Sequence, residues 1–351
     1  MSNPSSFAKE IFQIAIDKKA SDVHLLTDSS PLLRVDGELI LLEDKKPINA
    51  KEMEQIIGSL ISNEDKEIFL KTKDLDFSYA HNDKSRFRVN IHFEKGNMGL
   101  VARLINDRIP SLNDIALPAA VNAILKLKQG LILVTGPTGC GKSTTLASMV
   151  DYLNENHRYN IITLEDPIEY LFKPKKSVIM QRQLGDDMIS FAAGLRHALR
   201  QDPNVIMVGE MRDLETIGTT ITLAETGHLV LATLHTYDAP QTIDRIIDTF
   251  PPHQQNQIRT QLSSILIAVI SQRLLPKVDG GRVAAREIMI NTSAVANLIR
   301  EGKIAQLKSA IETGSREGMI SFDHDIQRLV NEGLVKREAA KTQMNNPDLL
   351  K

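Results

Sequence analysis

From about residue 119 onward, nearly continuous apolar runs alternate with stretches of helical spacing. The runs cover residues 131–135, 161–164, 205–208 and 229–233. None alternates between polar and apolar positions, so each predicts a strand buried on both faces, as in a parallel sheet sandwiched by helices. Leu146, Met149, Val150 and Leu153 recur at helical spacing after the first run. The last hundred residues are expected to be helical, with 258–273 a strong candidate and a short helical tail to Lys351.

The first 108 residues have a different pattern, that of a small α+β domain. Phe7, Ile11, Ile14 and Ala15 share one helical face, and 51–71 carries a second helical pattern. Short strand-like runs lie between: 21–25, 32–35 and 39–42, the last two joined by the turn signal Asp36-Gly37. Strand alternation returns at 76–79 and is strongest at 86–93. There Arg86, Arg88, Asn90 and His92 share one face, and Phe87, Val89, Ile91 and Phe93 the other. Two readings of that polar face stay open: a wetted sheet surface, or a rigid arginine pair able to clamp a neighbour's phosphates. Proline and polar residues at 109–118 mark a linker or hinge, giving domains at 1–108 and 119–351.

Composition narrows the class. At 351 residues with 42% apolar and 25% charged side chains, two sizeable cores are affordable. A net charge of −2 and the lack of an aromatic-basic stretch argue against a nucleic-acid translocase, so no nucleic-acid partner is expected. Cys140 is the sole cysteine, which excludes an internal disulfide or Cys-x-x-Cys zinc site and suits a reducing cytoplasm. Residues 1–7 lack a signal peptide's basic and apolar regions, and no stretch approaches a membrane span. Membrane contact is therefore expected through a partner.

The chemistry gathers after the apolar runs. Gly136-Pro137-Thr138-Gly139-Cys140-Gly141-Lys142-Ser143-Thr144 fits Gly-x-x-x-x-Gly-Lys-Ser/Thr between a predicted strand and helix. Inward-turned backbone N–H groups and the positive end of the helix favour phosphate. Lys142 would reach the β- and γ-phosphates of ATP, and the Ser143 hydroxyl would ligate Mg²⁺. The next runs end in Glu165-Asp166-Pro167-Ile168-Glu169-Tyr170, in Gly209-Glu210-Met211-Arg212-Asp213 and in Leu234-His235-Thr236. Each such acid taken singly could be a cap or a turn; three successive strand ends read as a hydrolytic site. Glu210, following its strand, is the expected Walker B acid and metal partner, with Gly209 where an aspartate is usual. His235 is expected in the site. His228 is either a satisfied loop histidine or part of the site, and Arg196 and Arg200 are either solvated or a subunit contact.

These motifs in this order resemble the type IV pilus retraction ATPases (PilT-like) of the type II/IV secretion ATPase superfamily. The resemblance spans essentially the whole chain. It is carried by residues 21–25, the phosphate loop, the acidic box 165–170, the run 195–203, the segment 208–216 and the histidine box 224–236. It implies an α/β, RecA-like P-loop motor domain with a parallel sheet, preceded by a smaller α+β PAS-like domain. It implies a cytoplasmic homohexamer, peripheral at the inner membrane, with nucleotide between subunits. Glu169 would position the attacking water, with Glu165, His235 and His228 also in the catalytic set. Arg86 and Arg88 would reach an adjacent subunit's phosphates. The implied partners are the inner-membrane platform protein, pilin indirectly, and a paralogous pilus ATPase. The family's pattern breaks at Cys140, where serine is usual, and at Ala296 within Ala294-Val295-Ala296-Asn297-Leu298-Ile299-Arg300-Glu301, where arginine is usual. Ala296 leaves room for an accessory PilU-like paralogue. An assembly or type II secretion ATPase, typically longer and with a four-cysteine insert, fits less well.

Overall fold

The computed structural model describes residues 4–35, 37–82, 85–105 and 108–350. The chain divides into two compact units, Met1–Arg108 and Ile109–Lys351.

The first unit comprises α1 (Pro4–Asp17), β1 (Asp22–Leu26), β2 (Leu32–Val35), β3 (Glu38–Leu41), α2 (Ala50–Gly58), α3 (Asn63–Thr72), β4 (Asp74–Ala80), β5 (Arg86–Glu94) and β6 (Asn97–Ile105). Its six strands pair antiparallel in the order β3-β2-β1-β6-β5-β4. Alternation dictates which face is buried: Phe87, Val89 and Ile91 are fully enclosed against the helices, with Phe12 of α1 stacked 4.5 Å from Phe87. Phe93 is only partly buried. Arg88 and its neighbours remain on the open face. Val35 pairs with Glu38 across the β2–β3 turn; Asp36 of the expected turn pair lies outside the described residues. The helical pattern at 51–71 becomes two helices, because Ser62 and Asp65 form a capping box that starts a new one. Strand β6, between β1 and β5, has no counterpart in the sequence reading.

The second unit begins with α4 (Ala119–Ile124), β7 (Gly130–Thr135), α5 (Lys142–Asn156), β8 (Asn160–Glu165) and β9 (Val178–Gln183). It continues with α6 (Phe191–Ala198), β10 (Val205–Val208), α7 (Leu214–Glu225), β11 (Leu229–Leu234), α8 (Ala239–Asp248) and α9 (Pro252–Ile265). It closes with β12 (Leu266–Pro276), β13 (Arg282–Ile290), α10 (Ser293–Arg300), α11 (Leu307–Thr313), α12 (Phe322–Asn331) and α13 (Arg337–Lys341). The seven-stranded sheet has the order β13-β12-β7-β11-β10-β8-β9 and is parallel except for β13 at one edge. Successive residues of each central strand enter opposite helical layers. Ile132 and Val134 of β7 meet Leu146, Met149 and Val150 of α5, whereas Leu131 and Leu133 join the cluster formed with α6 to α10. That two-sided burial is what the continuous apolar runs require.

The helical expectation for the C-terminal hundred residues is corrected here. The 258–273 stretch is not one helix: the chain turns extended at Leu266 (ψ 132°) and runs on as β12. Helical spacing continues through Ile258, Leu262, Ile265 and Val269, but Leu266 to Ile270 are also a continuous apolar run, and pairing beside β7 decides the conformation. The C-terminal hundred residues likewise contain the β12–β13 hairpin. The 109–118 stretch packs within the second unit. Leu112 and Leu117 are buried, and Arg286 of β13 donates to the carbonyls of Ile115 (2.7 Å) and Ala116 (3.1 Å). Burial lowers that guanidinium's pKa to about 10, with the Asp325 charge opposing the shift.

Candidate functional site

The loop at the end of β7 has the geometry its glycines predict. Gly136, Gly139 and Gly141 all adopt positive φ. A Cβ at Gly136 would fall 2.3 Å from the Gln272 carbonyl oxygen and 2.6 Å from Cys140 Sγ, so no other residue fits. Cys140 is buried inside the loop, where burial pushes its thiol pKa up. Helix α5 opens at Lys142, and Ser143 and Thr144 occupy its first turn.

Lys142 is almost enclosed. Its ammonium donates to the loop's own carbonyls, Gly136 O at 2.9 Å and Pro137 O at 3.1 Å. Burial lowers its pKa, opposed by Cys140, Glu210 and Glu169. His235, just past the end of β11, links it to the acid at the end of β10. Nε2 lies 3.0 Å from Glu210 Oε1, while Nδ1 lies 3.4 Å from Lys142 Nζ and 3.5 Å from Thr138 Oγ1. A neutral ring donating Nε2–H to the carboxylate keeps the Nδ1 lone pair for the ammonium. Burial pushes Glu210 up, but the hydrogen bond from Arg212 (2.8 Å), reinforced by His235, outweighs it and leaves the carboxyl below its usual range. Gly209 allows this convergence: its N–H bonds Leu164 O at 2.8 Å, and a Cβ there would lie 3.0 Å from that oxygen.

The acidic box separates into two roles. Glu165, the last residue of β8, is 6% exposed and accepts from Thr163 Oγ1 (2.6 Å) and Gln181 Nε2 (3.1 Å). Burial raises its pKa to about 7 despite those bonds. Glu169 is exposed. Tyr170, beside it, shares a hydrogen bond of 2.8 Å with Thr144 in the first turn of α5. Asp213 is a cap: it accepts from the Thr216 N–H at the start of α7.

His228 is not brought to this edge. It precedes β11, its carbonyl accepts from the Gly130 N–H at the start of β7, and its Nδ1 lies 3.0 Å from Leu223 O. Parallel strands all run one way, so His228 and His235 sit at opposite ends of a six-residue strand, about 20 Å apart. His228 thus leaves the catalytic set of its own chain. Arg196 of α6 pairs with Glu215 of α7, and Arg200 lies past the end of α6. Arg86 and Arg88 lie on the open face of β5 in the first unit, Arg88 being 3.9 Å from Asp76. Two contributors escaped the sequence reading: Arg212, on the outer side of Glu210, and Gln272 of β12, which supports the loop. For Gln272 the signal existed, a polar pair, Ser271-Gln272, directly after the apolar run 266–270.

A loop cradle at the end of a central parallel strand, flanked by an acid and a histidine from the next strand ends, defines a RecA-like P-loop nucleotide-binding protein. The chain belongs to the type II/IV secretion system protein family, whose model matches residues 5–333. It is 43% identical to the type IV pilus retraction ATPase PilT of Pseudomonas aeruginosa, over 97% of this chain and 98% of the relative. It is 34% identical to the type IV pilus ATPase PilU of the same organism, over 95% of this chain and 87% of that protein. Among solved structures, the pilus retraction motor PilT with bound ADP superposes with a TM-score of 0.91 at 44% identity, covering 97% of both chains.

Proposed function

We propose that this protein is an ATP-hydrolysing hexameric motor that powers type IV pilus retraction by driving pilin disassembly at the inner-membrane platform. The observation that carries the reading is a likeness to the retraction motor that covers 97% of this chain and 98% of that relative, and 97% of both chains in the structural superposition. The accessory PilU-like reading has Ala296 and the segment Phe322-Asp323-His324-Asp325 in its favour and a lower identity, 34%, against it.

In the proposed mechanism Lys142 exchanges the Gly136 and Pro137 carbonyls for the β- and γ-phosphates. His235 then couples the γ-phosphate position to Glu210. Ser143 and Glu210 offer hard oxygens suited to Mg²⁺, which supplies charge neutralisation at the phosphates when bound. Among the described residues no cluster of three His, Cys, Asp or Glu side chains stands ready for a metal. Mg²⁺ needs none, since phosphates and water complete its shell. Glu169, open to solvent, orients the attacking water, while Glu165 braces β8 against β9. Arg86 and Arg88 complete the site of an adjacent subunit from the first, PAS-like unit. No helix among the described residues is long and apolar enough to cross a membrane. In this reading the platform protein holds the motor at the cytoplasmic face.

Deleting the gene is expected to leave cells piliated but unable to twitch; bald cells would point to assembly instead. For the arginine pair, Arg86→Ala and Arg88→Ala are each expected to lower ATP turnover at least about tenfold while rings still form by size-exclusion chromatography. Full activity in both variants would remove the pair from the site.

A further inference from the structure

Strand β12 forms the floor of the phosphate loop, and one side chain of it does more than fill space. Gln272 is 1% exposed. Its Nε2 donates to the Cys140 carbonyl at 2.8 Å, and its Oε1 accepts from Thr145 Oγ1 at 2.9 Å. A carbonyl can only accept, so the amide nitrogen must face Cys140, and the Thr145 hydroxyl then satisfies the amide oxygen. Both ends of the amide are thus committed to the loop and to the first turns of α5. The strand's backbone approaches as closely: the Gly136 α-carbon packs against the Gln272 carbonyl, and a Cβ at Gly141 would lie 3.4 Å from Nε2.

The geometry points to a positioning role in phosphate binding. We propose that Gln272 locks the Cys140–Gly141 peptide with its N–H facing the anion. The peptide unit is planar and trans, so its C=O and N–H point in opposite directions. With the Cys140 oxygen pinned to Gln272, the Gly141 N–H is aimed away from β12, toward the side where the loop curls around phosphate. Glycine at 141, with φ 89°, gives that peptide unusual freedom to rotate, so the orientation has to be held from outside. Without the pin, rotation would present an oxygen to the phosphates where a donor belongs. Gln272 itself would touch no nucleotide, and the role rests on the nucleotide reading above.

The test compares MgADP and pyrophosphate binding to the full-length wild-type chain, Gln272→Met and Thr145→Val. Gln272→Met keeps the length and apolar bulk of the side chain but neither hydrogen bond. It is expected to weaken ADP at least about tenfold and pyrophosphate by the same factor, because the lost donor acts on phosphate. The pin acts in ground and transition states alike, so KM for ATP should rise similarly while kcat at saturation changes less than about threefold. Thr145→Val removes only the hydroxyl that satisfies the amide oxygen, and a smaller loss in the same direction is expected. A folded Gln272→Met with wild-type affinity for both ligands overturns the proposal. If that variant fails to fold, unchanged ADP affinity in Thr145→Val overturns it instead. A wild-type chain that binds no MgADP overturns the nucleotide reading itself, an outcome distinct from tight wild-type binding that the variants share.

Discussion

Lys142→Ala should reduce ATP turnover by at least about a hundredfold. The lysine is the one ammonium that the fold buries at the loop, and it waits on two carbonyls and an imidazole nitrogen. Burial has already destabilised its charged form. Exchanging these uncharged acceptors for anionic phosphate oxygens therefore adds a direct attraction between opposite charges in a site largely shielded from water. The gain should grow in the transition state, where removing one donor aimed at developing charge typically costs about 10²–10³ in rate. Phosphate release and MgADP titration check this together: affinity should fall along with turnover, and the melting temperature without nucleotide should hardly move. Retention of a tenth or more of wild-type turnover would remove Lys142 from the chemistry.

Glu210→Gln should separate binding from hydrolysis. The substitution is isosteric, and its amide oxygen can still accept the His235 Nε2–H. The Arg212 pair lost with the charge is mostly exposed on the arginine side (66% against 20%), so its contribution to stability is small. Folding and nucleotide affinity should persist. What disappears is a carboxylate held ionised by Arg212 and His235, which neutral glutamine cannot replace as a base or as a partner for the metal ion's water. A loss of about 10²–10⁴ in kcat with little change in KM is expected, and single-turnover assays should show ATP retained uncleaved. Glu169→Gln provides the comparison. If it abolishes cleavage while Glu210→Gln does not, the two acids exchange roles. Glu165→Gln should have the mildest effect of the three, because that side chain faces Thr163 and Gln181 rather than open solvent.

Much of this site was legible before any fold was known. The phosphate loop, the strand before it and the helix after it lie together in sequence, so their chemistry could be read locally. The same holds for Glu210 and His235, each placed directly after a buried apolar run. The alternation at 86–93 set the inner and outer faces of β5 because side-chain direction in a strand has period two. Legibility failed where local pattern fits two conformations. Residues 258–273 carry helical spacing and a strand's apolar run at once, and only a neighbouring strand could choose. Edge strand β9 fails for another reason: its residues are half-exposed, so no continuous run marks it.

The amino-acid order by itself determined a nucleotide-binding α/β protein, the phosphate-loop motif and the acids at the strand ends. The tertiary structure decided the rest. It sent His228 to the far end of β11, buried Glu165 while leaving Glu169 open, and set Gln272 of β12 beneath a loop more than a hundred residues earlier. The reason is physical. Backbone conformation and solvent preference are local properties that periodicity records. Strand order, burial depth and the contact of one side chain with a distant carbonyl depend on which elements pack together, and no single stretch of the chain encodes that.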